Sequence, residues 1–133
     1  MDNAGVYTLA ALQIAAPMSL KLLTPVTDLD GMSGVTLEAN FQYGSGGSGC
    51  SAIVATTFDA GTTWRHIARF DFTTASSVQI ANLAALAALG ITGYADLAAS
   101  GVNPAMLGDQ LAVLLLSSGT YANTTLSVRA AVR

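Results

Sequence analysis

Residues 35–43, VTLEANFQY, carry the pattern from which the rest of the chain is read. Val35, Leu37, Ala39, Phe41 and Tyr43 alternate with Thr36, Glu38, Asn40 and Gln42. Successive side chains of a strand point to opposite faces, so one face here is apolar and the other wet. That is the pattern of a strand in an antiparallel sheet laid over a core. The run stops at 44–49, GSGGSG. Glycine loses the most entropy on ordering, so this segment is expected to be a mobile loop, free to touch a neighbour in an assembly.

Further along, 51–58 (SAIVATTF) and 63–72 (TWRHIARFDF) read as the arms of a hairpin with a glycine in its connection. In the second arm Trp64, His66, Ala68, Phe70 and Phe72 share one face, the expected core side. Arg65, Ile67, Arg69 and Asp71 share the other. The joining stretch 57–64, TFDAGTTW, resembles the Asp-box of sialidase-like propellers. One copy without further blades implies a local role: a tight turn stapled by Asp59 and anchored by Trp64. Residues 76–81 alternate weakly. Then 82–90, NLAALAALG, reads as a short helix with Asn82 as N-cap and Gly90 as stop, and 94–99 as a second. The segment 110–116, QLAVLLL, is apolar on both faces, as in a strand covered on both sides or by a neighbouring subunit. Residues 124–133 alternate again. Upstream, 18–30 reads as a short strand before the Thr24-Pro25 turn, and Pro25 confines that strand to an edge or an end.

The expectation is therefore an all-β chain, an antiparallel β-sandwich or jelly-roll-like barrel with a short helical insertion. Residues 1–17 are read as an N-terminal arm and 18–133 as a single sandwich domain, with 82–108 as the partly helical insertion.

Composition narrows the function classes. Of 133 residues, 52% are hydrophobic and only 10% charged, against about 25% charged in an ordinary soluble domain. Mean hydropathy is +0.53. Disorder needs the opposite balance. Five cations and a net charge of −3 leave little to neutralise phosphates, so a nucleic-acid partner is not expected. The charge-free window 72–94 is long enough to span a bilayer, but its apolar part is mostly alanine broken by Thr, Ser, Gln79 and Asn82, so no membrane partner is expected either. Asp2 stands where a secretory signal would carry a cation, and the single Cys50 suits a reducing cytoplasm. The charge deficit itself predicts burial against other subunits, since contact cores are depleted in charge.

Catalytic side chains are few: one His, one Cys and one Glu. A Ser-His-Asp triad would have to use His66, whose apolar neighbours point instead to a core or groove-lining role. Asp28 and Asp30 lack the further oxygen ligands of a calcium loop, and the glycine run lacks the Lys-Ser/Thr of a phosphate loop. No cofactor, metal or catalytic residue is expected, and the chain reads as non-enzymatic.

Taken together, YGSGGSG at 43–49, TFDAGTTWRHIARFDFTTAS at 57–76 and GDQLAVLLLSSGTYANTTLSVRAAVR at 108–133 resemble a group of small proteins from tailed bacteriophages and prophages. The resemblance implies a virion structural role, with assembly in the host cytoplasm. The form expected is a capsid decoration or cement protein, a homo-oligomer with a trimer as one form, whose partner is the major capsid protein. A head–tail connector, a tail accessory and, from another class, a carbohydrate-binding module using Trp64 or Tyr43 remain as alternatives. The residues expected to make intersubunit or lattice contact are Val6, Tyr7, Leu9 and Leu12 of the leader, together with Leu114.

Overall fold

The computed structural model describes residues 4–133; the first three residues of the expected arm lie outside the described residues. The strands are β1 (Gly5–Ile14), β2 (Met18–Leu22), β3 (Gly34–Gln42), β4 (Ser45–Gly46), β5 (Gly49–Thr56), β6 (Arg65–Phe72), β7 (Ser77–Ala84), β8 (Gly101–Val102), β9 (Leu111–Ser118), β10 (Tyr121–Ala122) and β11 (Thr124–Val132). Two antiparallel sheets pack together, one in the order β1-β11-β3-β7 and the other β2-β9-β5-β6-β8. β4 and β10 form a separate two-stranded ribbon.

The alternation in β3 is realised in full. Val35, Leu37, Ala39 and Phe41 are each 0% exposed, while Thr36, Glu38 and Asn40 lie half-buried on the outer face. Cys50, Ala52 and Val54 of β5 face them from the opposite sheet with Phe70 and Phe72 of β6. The Phe41 ring stacks on Phe72 with centroids 4.9 Å apart and meets Tyr121 edge-on at 5.8 Å, joining the two layers. Burial pushes the Cys50 thiol up to about 11, so it serves as a small core hydrophobe and not as a nucleophile.

Five sequence expectations are corrected. The leader is no separate arm: from Gly5 it is β1, paired along its length with β11. Its pattern was obscured by a bulge, because Thr8 opposes Arg129 while Ala10 opposes the next residue, Val128. Leu9 and Ala10 both turn inward as a result.

The helical insertion does not form, and no helix occurs among the described residues. Asn82, Leu83 and Ala84 complete β7 opposite Thr36, Val35 and Gly34, which buries Leu83. A helix of two turns is marginal on its own, so ladder bonds and a buried leucine outweigh alanine's propensity. Residues 94–99 stay irregular because their polar groups bond to β6.

The glycine run is likewise no free loop. It carries β4, and Gly47, at φ +69°, lies so close under the Tyr121 ring that a Cβ would run into it. Trp64 sits half-buried before β6 rather than in the core. Finally, the face assigned to β6 changes partway along the strand. Val54 opposes Ala68 and Ala55 opposes His66, so Ile67 is the extra residue of a bulge. Ile67 and Ala68 both enter the core, and His66 turns to the outer side.

Candidate docking surface

The outer side of the five-stranded sheet is apolar over β9 and the adjoining part of β5. Alternation along β5 and β9 directs Ile53, Ala55, Ala112, Leu114 and Leu116 away from the central core. Ile53, Ala55 and Ala112 are buried there, whereas Leu114 and Leu116 stay half-open. Leu22 of β2 pairs with Leu114 and is 39% exposed.

The connection from β7 to β9 carries a second set of exposed aliphatic side chains. Its first part carries Leu86, Leu89 and Ile91, which are 86, 50 and 110% exposed. Its second part returns across β6 and is anchored by polar bonds. The His66 amide donates to the Tyr94 hydroxyl at 2.6 Å, which donates to the Asp96 carboxylate at 2.7 Å. The Leu97 amide donates to His66 Nδ1 at 3.1 Å, and Asn103 donates to the His66 carbonyl at 2.8 Å. Arg69 reaches the Leu97 carbonyl at 2.8 Å and the Asp71 carboxylate at 2.9 Å, and Ser51 donates to that same carboxylate at 2.6 Å. The Arg65 guanidinium lies 4.9 Å from the centre of the Tyr94 ring.

These bonds fix the charge states. Burial alone would raise the Asp71 carboxyl, but the bonds from Ser51 and Arg69 outweigh it and hold the group below its ordinary value. Burial lowers His66, with Asp96 opposing and Arg69 reinforcing the shift. A neutral ring is also what an Nδ1 acceptor requires. Ser51 spends its proton on Asp71 and His66 spends its lone pair on the Leu97 amide, so the polar groups here act as a clamp that holds the returning chain. Cys50 and His66 lie toward opposite ends of the β5–β6 pair, opposite Phe72 and Ala55 respectively, and do not meet.

The turn at 57–64 matches its expected role. The Thr57 hydroxyl donates to Asp59 Oδ1 at 2.9 Å and accepts the Gly61 amide at 2.9 Å, while the Thr63 amide donates to Asp59 at 2.8 Å. Gly61 takes φ +92° beside the Trp64 ring. The Thr63 amide, followed by the Thr63 and Thr57 hydroxyls, holds the Asp59 carboxyl below its ordinary value.

The five residues expected to make contacts do not converge. Val6 is 72% exposed on the outer face of the four-stranded sheet, and Tyr7 and Leu12 are half-buried against the core. Leu9 is 4% exposed and belongs to that core. Leu114 opens on the other side of the sandwich. Leu22, Leu86, Leu89 and Ile91 were missed as surface residues. Leu86 and Leu89 share helical spacing with Leu83, which suggested a packed helix. The signal that pointed the other way was the lack of charge anywhere between Asp71 and Asp96.

No protein-family model matches the chain, and a search of curated proteins found no match.

Proposed function

We propose that this chain is a non-enzymatic structural protein of a bacteriophage virion, a decoration protein that docks on the major capsid lattice through its aliphatic outer surface. The observation that carries the reading is the exposure of Leu86, Leu89 and Ile91 on a segment without charge. Leu22 and Leu114, paired across β2 and β9, are further open aliphatic side chains on the five-stranded sheet. Full burial of one such side chain contributes about 1.5–3 kcal/mol gross. Much of that is offset by the cost of association, so a single site binds weakly. A repeating lattice restores avidity when copies of the protein are joined.

The strand order supports the same reading. Counted over the eight long strands, with β4, β8 and β10 left out, the sheets run 1-8-3-6 and 2-7-4-5. That is the order of a jelly roll, an architecture shared by viral capsid proteins, lectins and cupins. The carbohydrate-binding alternative wants an exposed aromatic platform from Trp64 or Tyr43, and Trp64 is half-buried beside Gly61. Tyr43 instead packs edge-on to Tyr121 at 6.1 Å and donates its hydroxyl to the Gly46 carbonyl.

The test is co-sedimentation of the full chain with empty heads of the phage that carries its gene. Wild type is expected in the pellet, and the Leu86→Asp, Ile91→Asp double variant in the supernatant. Binding only to tail-bearing particles would transfer the reading to a connector or tail accessory. Retention on polysaccharide without capsid binding would replace it.

A further inference from the structure

We propose that the free edge of β7 is a two-fold pairing surface, where a second copy of this chain adds its own β7 antiparallel and continues the four-stranded sheet. The inference rests on the structural-protein reading only for the premise that copies associate. It names the surface by which they do so, which is separate from the docking surface.

The main-chain bonding fixes which groups that edge offers. Gly34 and Arg133 exchange both backbone hydrogen bonds, at 3.0 and 2.9 Å. Residues that exchange bonds alternate along an antiparallel pair. β3 therefore turns its even-numbered residues toward β11, and Val35, Leu37, Ala39 and Phe41 toward β7. Their partners are Leu83, Ala81, Gln79 and Ser77. The Ala85 amide, which donates to the Ser33 carbonyl at 2.7 Å, keeps the same phase. The N–H and C=O groups of Val78, Ile80, Asn82 and Ala84 consequently face the open edge, an unused template for another strand.

The other edges carry the devices that block such pairing. β1 is bulged at Leu9 and Ala10. β2 has an irregular register between Met18 and Lys21, carries Lys21, and is flanked by Pro17 and Pro25. β8 is two residues long. β7 pairs with β3 over eight residues with no register shift, and it has neither charge nor proline.

Its neutrality selects the occupant. A two-fold axis brings each residue close to its own copy, so a charge near the axis meets a like charge. β7 itself carries none; the nearest charge on its outer face is Glu38 of β3, opposite Ile80, and Glu38 is in turn opposite Arg129 of β11. Val78 and Ile80, 56 and 65% exposed, stand on the outer face beside the free groups. Centring the axis on Ile80 sets it against Ile80 of the second copy and sets Val78 against Asn82. Both aliphatic side chains then lose exposure as Val78, Ile80 and Asn82 gain main-chain partners.

Sedimentation equilibrium of the full chain tests this, with amide exchange read residue by residue. Wild type is expected to reach twice 13.5 kDa as concentration rises. Ile80→Lys is expected to raise the dimer dissociation constant about tenfold or more, with an unchanged thermal melt at concentrations where both proteins are monomeric. In the wild-type dimer the amides of Val78, Ile80 and Asn82 slow, and in Ile80→Lys they exchange fast, while those of Gln79, Ala81 and Leu83 are slow in both. A wild-type monomer at every concentration overturns the proposal. So does an oligomer that survives Ile80→Lys, or a dimer whose three paired edge amides still exchange fast. Capsid co-sedimentation separates the two readings: Leu86→Asp, Ile91→Asp loses capsids yet dimerises, and Ile80→Lys fails to dimerise yet keeps its single-site docking surface.

Discussion

The sandwich interior and the β7–β9 connection are built from the same residue types, with opposite results. In β3 and β9 the Ala, Leu and Val side chains that face inward are 0% exposed. In the first part of the connection Leu86 and Ile91 stand almost wholly in solvent. What differs is the main chain. A strand has ladder partners on one or both sides, and these hold its apolar face against the opposite sheet. Residues 86–93 have no ladder, and the polar clamp begins only at Tyr94. Hydrophobic composition therefore does not decide burial by itself; an ordered backbone with somewhere to dock does.

Substitutions can break or sharpen that contrast. The largest effect is expected from Phe41→Ala, which removes the ring between Phe72 and Tyr121. A loss of about 3–5 kcal/mol in urea unfolding is expected. A loss under about 1 kcal/mol would mean that the two layers are not joined there. Next comes Gly47→Ala, where a methyl group must displace Tyr121 and the backbone must hold a positive φ. About 2 kcal/mol or more is expected from overpacking together with that strain, read in the same unfolding experiment, and no change would show that the ribbon can shift freely. Leu86→Ala should change stability by no more than about 0.5 kcal/mol, as for an exposed side chain. A cost like that of Phe41→Ala would remove the difference between the two regions.

The smallest expected effect is on the clamp, and it depends on pH. Burial lowers the folded-state pKa of His66 below its unfolded value. The folded form thus binds fewer protons, and its contribution is intact above about pH 6.5. It is lost as pH falls through and below that value, because a protonated ring no longer accepts the Leu97 amide. Asp96 moderates the loss and Arg69 adds to it. NMR shifts of the Leu97 amide should move with the His66 titration while those of β3 stay fixed. A Leu97 shift that is flat across the titration would remove His66 from the clamp.

Much of the fold was legible because its pattern is local. The 35–43 alternation, the hairpin across 51–72 and the alternation at 124–133 each appear as strands in the expected phase until a bulge intervenes. Bulges are what local alternation misses: one residue flips the phase, which hid β1 at Leu9 and Ala10 and put His66 on the wrong face. The 82–90 segment failed for another reason. Its helical spacing and N-cap are real sequence features, but β3 offered Asn82, Leu83 and Ala84 a ladder, and that is a long-range fact. Among the outward-facing aliphatic residues, Leu114 was legible from a strand apolar on both faces. Leu86 and Ile91 were not, since nothing local distinguishes a greasy segment that packs from one that protrudes.

The central claim, that the uncharged protruding segment is covered in the assembled particle, is tested most directly by hydrogen–deuterium exchange on free and capsid-bound protein. Residues 86–93 should exchange rapidly when free and become protected on the capsid, while the 57–64 turn exchanges alike in both. Equal, rapid exchange of 86–93 in the free and bound protein would contradict the account.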